Sequence, residues 1–233
     1  MEISPVADYY GELKSKFGIP RQSGIVQALE GRIVLRPEYR TVDALRGIEG
    51  FSHLWLIWEF SANKRHKDES AQADKTFVAT VRPPRLGGNT SIGVFASRSP
   101  YRPNRLGLSC VKLVKVDNDN PSGPTLIVSG ADLMDGTPIY DIKPYVPYAD
   151  CHPDATGGFT DSTSWQTLEV VVPESARILL GDDYDAIVAL LAQDPRPSYQ
   201  EVPTRIYGMT FGSKDVHFSV ENGVLTVTDV TFL

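Results

Sequence analysis

Several common sequence signals are missing from this 233-residue chain. Its two cysteines, Cys110 and Cys151, give no disulfide framework, and the cysteines and four histidines lack the short paired spacing of a metal site. No apolar run approaches the roughly 18 residues of a membrane span, and the first residues lack the basic start and apolar stretch of a signal peptide. These absences predict a cytoplasmic protein with no metal and no membrane partner.

The motifs of several common catalytic folds are also lacking. No G-x-G occurs, so the dinucleotide fingerprint and the glycine-rich loop of doubly wound methyltransferases are both missing. The sequence contains no G-x-x-x-x-G-K-[ST] loop, no G-x-S-x-G elbow and no H-E-x-x-H pair. The chain is therefore not expected to adopt a Rossmann fold or to act as a common hydrolase.

Acidic residues are absent from one long window of the chain. The formal net charge is −6, yet residues 75–116 contain no Asp or Glu and eight Lys or Arg. That window carries +8, which leaves −14 on the remainder. Such a window suits a polyanion, although solvated arginines scattered over several strands would also produce it. We favour the polyanion because five arginines stand among Gly and Pro, where chains turn and sites are built.

Short apolar runs alternate with turn residues through the first two thirds of the chain. They predict a short helix at residues 41–46 and strands at residues 32–35, 51–60, 92–96, 108–116, 125–129 and 139–142. This pattern favours a small barrel or sandwich over a doubly wound sheet.

A different pattern follows in the last third of the chain. A helix is predicted at residues 183–193 with Asp182 as its N-cap, followed by strands at 204–211, 216–220 and 223–230. The last two strands are joined by a hairpin turn that contains Asn222-Gly223. We therefore predict a β-rich domain over residues 1–165 and a small α+β domain over residues 166–233.

Two polar clusters are rich in proline and arginine. KFGIPRQSG, residues 16–24, places Arg21 and Gln22 behind a proline that fixes the backbone. Residues 82–109 hold five arginines, four prolines and four glycines, a composition that packing alone rarely requires. The simpler interpretation of the first cluster is a turn with two exposed polar side chains.

A third cluster carries aspartates on turns. In GADLMDGTPIYDIKPYVPYAD, residues 130–150, Asp132, Asp135 and Asp141 lie close to glycine and proline. A carboxylate on such a turn can accept from ribose hydroxyls, lie near a sulfonium or take a proton. The competing interpretation is an aspartate that caps its own backbone.

Taken together, these motifs resemble a known family. KFGIPRQ, FSHLW, RPPRLGG, GVFASRSPYRPNRLGLS and LMDGTPIYDIKPYVPYAD, with DPRPSY further on, closely resemble the TsaA-like (TrmO/YaeB) family, in order from about Ser15 to Tyr199. The resemblance implies an S-adenosylmethionine-dependent tRNA methyltransferase with a small antiparallel β-barrel as its catalytic domain. The implied substrate is threonylcarbamoyl adenosine just 3′ of the anticodon, methylated on its exocyclic nitrogen, chiefly in threonine tRNA. Homodimers are also implied.

The resemblance further implies which residues bind the cofactor. They are Pro20, Arg21, Gln22, Ser61, Ala62, Arg98, Leu108, Leu133, Met134, Asp135 and Gly136. Methyl transfer from a sulfonium depends mostly on alignment of nucleophile, methyl and sulfur, and no metal is needed. A proton acceptor should assist the poorly nucleophilic nitrogen, and Asp135 is the first candidate, followed by Tyr145 or Tyr140.

Contacts to tRNA are expected in the anticodon loop, where bases are already unpaired. Phe95, Tyr101 or Tyr145 is predicted to stack on the adenine or the target base, with core packing as the competing interpretation, which suits Phe95 better than Tyr101. The predicted phosphate partners are Arg82, Arg85, Arg102 and Arg105. The carboxylate of the threonylcarbamoyl group calls for a cation, and Arg21 and Arg102 are the two candidates because each lies beside a proline.

Two other functions remain open from the sequence. A non-catalytic tRNA-binding β-barrel module would explain the cationic window equally well, but not the joint presence of the PRQ and LMDG turns. A methyltransferase for a small molecule is the other alternative, and it predicts no salt-sensitive affinity for tRNA.

Overall fold

Six antiparallel strands close into a barrel in the first part of the chain. The computed structural model describes residues 2–63, 78–163, 166–196 and 205–233. The barrel strands are β1 Ala7–Gly11, β2 Glu30–Leu35, β3 His53–Glu59, β6 Leu106–Asp117, β7 Thr125–Ser129 and β8 Thr137–Pro144, in the order β1-β2-β7-β6-β3-β8. The prediction of a small antiparallel barrel is confirmed, and the open alternative of a sandwich is not what the chain forms.

Strand β3 illustrates how alternation builds the barrel core. Leu54, Leu56 and Trp58 point inward and are buried, whereas Trp55 and Ile57 are only partly covered on the outer face. This period of two is the pattern expected of a strand with one buried face. The interior therefore fills with side chains.

The three long connections that carry the family motifs leave the same end of the barrel. The register pairs Gly11 with Gly31, Tyr9 with Thr137, and Glu59 with Leu106. In antiparallel strands, such pairs place the end of one strand beside the start of its neighbour. The connections 12–29, 60–105 and 130–136 consequently share one rim.

The connection 60–105 contains its own small two-stranded sheet. Strands β4 Thr80–Val81 and β5 Ile92–Gly93 pair antiparallel, and a 3-10 helix, Pro84–Leu86, lies between them. Residues 94–96, which were predicted to continue a strand, instead form the 3-10 helix Val94–Ala96. At residues 41–46 the predicted helix is a 3-10 helix, Val42–Leu45, where the Thr41 side chain accepts from the Asp43 amide.

A second sheet with helices follows the barrel. A short helix, α1 Pro147–Asp150, comes first, and the second unit then contains β9 Glu169–Val171, α2 Glu174–Leu180, α3 Tyr184–Ala192, β10 Tyr207–Phe211, β11 Lys214–Glu221 and β12 Val224–Phe232. The sheet order is β10-β11-β12-β9, with β9 parallel to β12 and the other pairs antiparallel. The small α+β architecture matches the prediction for this part of the chain.

The start of helix α3 differs from the prediction. Asp182 lies inside a 3-10 helix, Gly181–Asp183, and the N-cap position belongs to Asp183, whose side chain makes no capping hydrogen bond. Helix α2 was not predicted, and it leads directly into this 3-10 segment. The preceding chain is already helical, so no extended N-cap residue is required.

Part of the connection 12–29 is buried in the core of the second sheet rather than in the barrel. Leu13, Val26 and Leu29 belong to the same apolar cluster as α3 and β10–β12. The Phe17 ring stacks on Phe218 with 6.5 Å between centroids, and a Cβ at Gly18 would lie 2.7 Å from the sulfur of Met209. The boundary at residue 165 stays a prediction, although this packing makes the two units share a core.

The close approach of Gly18 to Met209 gives a stability prediction. Gly18 and Gly24 both have positive φ, +89° and +79°, but a Cβ at Gly24 would meet no atom within 4 Å. We expect Gly24→Ala to lower the free energy of unfolding by about 1 kcal/mol from backbone strain alone. Gly18→Ala should cost about 2–3 kcal/mol, because the buried Met209 must also shift. Urea unfolding measures the free energy of unfolding of the two variants. An equal decrease in both would contradict the close packing of Gly18 against Met209.

Candidate active site

A contact between the PRQ turn and the arginine-rich connection brings two motifs together. Arg98 Nη1 donates a hydrogen bond to Gln22 Oε1, and Gln22 Nε2 donates to the Arg21 carbonyl at 2.5 Å. Pro20, just before them, is buried. Three of the residues implied for the cofactor site, Arg21, Gln22 and Arg98, are thus joined by hydrogen bonds although Arg98 lies 76 residues after Gln22 in sequence.

Asp132 connects the same region to the barrel interior. Its Oδ1 accepts from Ser109 Oγ at 2.5 Å, and Ser109 Oγ in turn accepts from the indole Nε1 of the buried Trp58 at 2.9 Å. The backbone of Ser23 also donates to this carboxylate, and Ser23 Oγ accepts from the Cys110 amide at 3.2 Å. Asp132 therefore links the PRQ connection to strand β6.

Burial raises the pKa of the Asp132 carboxyl above its ordinary value. The hydrogen bond from Ser109 and the positive charge of Arg98 act in the opposite direction, because both favour the ionised form. A carboxyl group with a raised pKa at the meeting point of three motifs is a functional-site candidate on physical grounds.

The turn 133–136 is fixed to strand β1. The Asp135 carboxylate accepts from the Gly11 amide at 3.1 Å, while the Asp135 amide donates to the Leu13 carbonyl at 2.8 Å. The Gly136 amide donates to the Tyr9 carbonyl at 2.8 Å, and Leu133 is buried, with Met134 half-buried beside it. The Asp135 side chain thus caps backbone at the end of β1, which was the competing interpretation of a turn aspartate.

Tyr145, the other predicted catalytic residue, lies at the opposite end of strand β8 from Asp135. The eight residues of β8 separate them, a span of roughly 25 Å. The Tyr145 ring lies 6.1 Å from His53 and 5.9 Å from Trp55, between ring centroids. Desolvation and the neighbouring Cys151 raise the pKa of its hydroxyl. Asp135 and Tyr145 of one chain therefore cannot serve the same proton transfer.

The remaining residues implied for the cofactor site lie on β3 and β6 or next to them. Leu108 is 58% exposed on the outer face of β6, opposite Ile57 of β3. Ser61 and Ala62 form a 3-10 helix, Ser61–Asn63, directly after β3. The Phe60 amide donates to the Arg105 carbonyl at 2.9 Å, so this helix begins beside the base of the arginine-rich connection.

Two of the four predicted phosphate partners are engaged within the protein. Arg105 forms an ion pair with Glu59 at 3.1 Å, and Glu59 also accepts from the Tyr140 hydroxyl at 3.0 Å. Arg102 Nη1 donates to the carbonyls of Ser97 at 2.7 Å and Val94 at 3.3 Å. These guanidinium groups hold the connection in shape.

The other predicted tRNA-contacting side chains are exposed. Arg82 and Arg85 lie on the surface around the 3-10 helix Pro84–Leu86, and Tyr101 is 69% exposed. Lys75, which belongs to the same cationic window, lies outside the described residues. A large exposed aromatic ring among cations has the character of a stacking platform for bases.

A small cavity of about 70 Å³ lies beside the PRQ turn, where the connection 12–29 meets the end of α3. It is lined by Lys16, Gly18, Ile19, Arg21, Leu190, Gln193, Asp194 and Pro195. Over the described ranges no three His, Cys, Asp or Glu residues are grouped to hold a metal ion. No helix in those ranges has the length and apolar character to cross a bilayer.

Ser23 and Ser109 were not predicted as site residues, and Asp132 had no predicted role. Asp132 stands in the same motif as Asp135, so the pattern could place it near the site but could not distinguish their environments. The distinction depends on Ser109 and Ser23, which are 23 and 109 residues away in sequence. No local signal indicates which of two turn aspartates will have a raised pKa.

Two family models match the chain, one on each sheet-forming region. Residues 9–151 match the tRNA-methyltransferase O N-terminal domain, and residues 168–233 match the TrmO C-terminal domain. The chain belongs to the tRNA-methyltransferase O family. This membership confirms the family predicted from the motifs.

Known proteins resemble the chain over most of its length. The tRNA (adenine(37)-N6)-methyltransferase of Escherichia coli is 40% identical over 195 residues, which cover 81% of this chain and 79% of that protein. RcsF of Pseudomonas aeruginosa is 40% identical over 224 residues, which cover 93% of this chain and 91% of RcsF. Its name describes an S-adenosylmethionine-dependent methyltransferase. The crystal structure of TrmO from P. aeruginosa has a TM-score of 0.76 at 33% identity, with 100% and 97% of the two chains covered.

The raised pKa of Asp132 predicts a pH dependence of stability. The folded state holds this proton more tightly than the unfolded state, so the wild type should lose stability relative to Asp132→Asn as pH rises through the acid range. Urea unfolding of both proteins between pH 4 and pH 8 measures the difference. Ser109→Ala removes a hydrogen bond that favours the charged form of Asp132, so the loss of stability should extend to higher pH in this variant. If the wild type and Asp132→Asn differ in free energy of unfolding by the same amount at every pH, the raised pKa of Asp132 is contradicted.

Proposed function

We propose that this protein methylates the exocyclic nitrogen of threonylcarbamoyl adenosine at tRNA position 37, chiefly in threonine tRNA. The chain is an S-adenosylmethionine-dependent tRNA methyltransferase of adenine 37, as its family membership and full-length relatives indicate. The single observation that carries the proposal is the meeting of three motif-bearing connections at one rim of the barrel, around Gln22, Arg98 and Asp132. We also propose, from the family resemblance, a cytoplasmic homodimer.

The residues at this rim fit the chemical character of S-adenosylmethionine. The cofactor carries a carboxylate, and Arg98, fixed by Gln22, supplies a guanidinium for it. It also has an adenine ring, and the exposed Leu108 side chain can pack against the face of that ring. The proposed binding set thus remains Pro20, Arg21, Gln22, Ser61, Ala62, Arg98, Leu108 and the turn 133–136.

When bound, the cofactor supplies an electrophilic methyl group attached to a sulfonium. The protein's own contribution is orientation, which alone can lower the barrier by several kcal/mol, about 7–11 at most. The Asp135 contacts to Gly11 and Leu13 fix the turn relative to β1 and so hold the cofactor side of the site rigid.

Removal of the proton from the substrate nitrogen needs an acceptor at the same rim. Asp135 remains the first candidate for the acceptor, and Asp132 is the second carboxylate at that rim. A raised pKa brings Asp132 closer to the range in which a general base works best. Single-turnover rates of Asp132→Asn and Asp135→Asn across pH assign the step. Loss of the acceptor removes the fall in rate at acid pH, whereas loss of a positioning contact lowers the rate at every pH.

The tRNA would lie across the arginine-rich connection on the same rim. Arg82 and Arg85 are exposed and suited to phosphates, and Tyr101 is suited to stack on an unpaired base. Arg102 and Arg105 use part of their guanidinium groups to hold the connection, which leaves their remaining donors for phosphate contacts.

The proposed substrate predicts a fixed order of tRNA modification. The threonylcarbamoyl carboxylate should be matched by a cation, and its absence would leave that cation unpaired in the occupied site. Unmodified tRNA should therefore bind through its phosphates but accept at least about a hundredfold less methyl per unit time. The measurement is methyl incorporation from labelled cofactor into one transcript before and after threonylcarbamoylation. Comparable incorporation into both would indicate a plain adenine methyltransferase.

The Arg98–Gln22 contact predicts the cofactor affinity of two variants. Arg98→Ala removes the guanidinium and should weaken S-adenosylmethionine binding by about ten- to a hundredfold, the value of one charge-assisted hydrogen bond. Gln22→Ala should have a smaller effect, because it only frees the arginine to move. Calorimetry measures both, with Arg46→Ala at the other end of the barrel as the control. Wild-type affinity in a folded Arg98→Ala protein would refute the assignment.

A further inference from the structure

Tyr9 is a tyrosine of strand β1 whose side chain the site described so far does not use. This side chain points into the barrel, and the residue is only 1% exposed. Cβ atoms at Gly11 and Gly31 would both overlap the Tyr9 hydroxyl oxygen, so the ring extends along these two glycines. Gly11 and Gly31 pair with each other at the end of the barrel where the connections 12–29 and 130–136 begin and end. The hydroxyl therefore lies just beneath the rim that carries the motifs.

The Tyr9 hydroxyl has no hydrogen-bond partner within the part of the chain that the structure describes. Every fully enclosed side-chain N or O atom in those ranges has a partner, so the Tyr9 oxygen is not sealed in the core and reaches the surface. A tyrosine buried to this degree ordinarily pairs its hydroxyl. Solvent can serve a hydroxyl at such an opening, and a ligand that displaces the solvent must offer an acceptor in its place.

Three carboxylates act on this hydroxyl. Burial raises the pKa of the Tyr9 hydroxyl most, and the negative charges of Asp132, Asp135 and Glu12 raise it further. The hydroxyl therefore keeps its proton at neutral pH and is available as a hydrogen-bond donor. Asp135 is fixed at the same strand end by its bond to the Gly11 amide at 3.1 Å. The rim thus presents one donor close to several acceptors.

The combination of a neutral donor and nearby carboxylates selects the chemistry of the group that binds there. A ligand carboxylate or phosphate would accept from Tyr9 but would be repelled by Asp135 and Glu12. A ribose hydroxyl fits better, because it accepts from the phenol and donates its own proton to a carboxylate. S-adenosylmethionine carries a ribose with two adjacent hydroxyls, and the turn 133–136 beside Tyr9 belongs to the proposed cofactor-binding set.

We propose that the Tyr9 hydroxyl donates a hydrogen bond to a ribose hydroxyl of bound S-adenosylmethionine. The same ribose hydroxyl donates to a carboxylate of the turn, Asp132 or Asp135. This inference rests on the proposed cofactor site, since it concerns the ligand at that rim. It adds a residue of the barrel interior to the binding set and gives Gly11 and Gly31 a reason to lack side chains, because either Cβ would displace the hydroxyl.

The test removes one hydroxyl from the protein and one from the ligand. S-adenosylhomocysteine and its 2′-deoxy and 3′-deoxy analogues are each titrated calorimetrically into wild-type and Tyr9→Phe protein. Tyr9→Phe should weaken binding of S-adenosylhomocysteine about three- to tenfold, the effect of one neutral hydrogen bond. One of the two deoxy analogues should bind both proteins equally, because it lacks the contact already. Tyr10→Phe is the matched control on the outer face of β1, and it should leave all affinities unchanged.

The stability of Tyr9→Phe separates this contact from a structural role. The phenylalanine ring fills the same space, and no hydrogen bond within the described ranges is lost. The free energy of unfolding, measured with urea in the absence of ligand, should therefore not fall below that of the wild type. A marked loss of stability with equal weakening of all three ligands would show a structural role and overturn the proposal.

The remaining outcomes separate the ribose contact from the cofactor site. Wild-type affinity of Tyr9→Phe for S-adenosylhomocysteine would overturn the contact. A raised KM for tRNA with unchanged cofactor affinity would place the ribose on the tRNA and would also overturn it. The Arg98→Ala titration tests the location of the cofactor independently. If Arg98→Ala weakens cofactor binding and Tyr9→Phe does not, the proposed site stands and only the ribose contact fails.

Discussion

Burial of the connection 12–29 in the second sheet is the constraint on which the rest of the site depends. Leu13, Val26 and Leu29 lie in the same core as α3 and the strands β10–β12, and Phe17 stacks on Phe218. The residues between these anchors include Arg21 and Gln22, which therefore cannot move independently of the second unit. The connection is held by apolar burial of the kind that gives each large side chain about 1.5–3 kcal/mol.

The arginines of the cationic window divide into two groups with different tasks. Arg102 and Arg105 hold the connection together through backbone carbonyls and Glu59, whereas Arg82 and Arg85 remain on the surface. The same absence of acids that predicts a polyanion partner also leaves few local counter-ions for these groups. Backbone carbonyls and a glutamate from the preceding strand supply the missing acceptors, so the connection keeps its shape without losing its positive field.

Sequence patterns predicted the barrel and the motif positions, and they failed where distant groups decide the local structure. Strand β3 is visible from alternation alone, because one face is buried along its whole length. Residues 94–96 contain the same apolar residues as a strand, but the Val94 and Ser97 carbonyls bond to Arg102, and the segment turns. Strand β1 was missed because ADYYG is short and half polar. The different environments of Asp132 and Asp135 depend on partners that no local pattern contains.

The hydrogen bonds that run from Trp58 through Ser109 to Asp132 make the barrel interior sensitive to the state of the rim. An indole N–H at the end of such a series lies in the electric field of the carboxyl group. Any event that changes the charge on Asp132, whether protonation or the arrival of a cationic sulfonium nearby, alters that field. Because the fluorescence of a buried indole responds to the surrounding field, the emission of Trp58 is expected to follow the charge on Asp132.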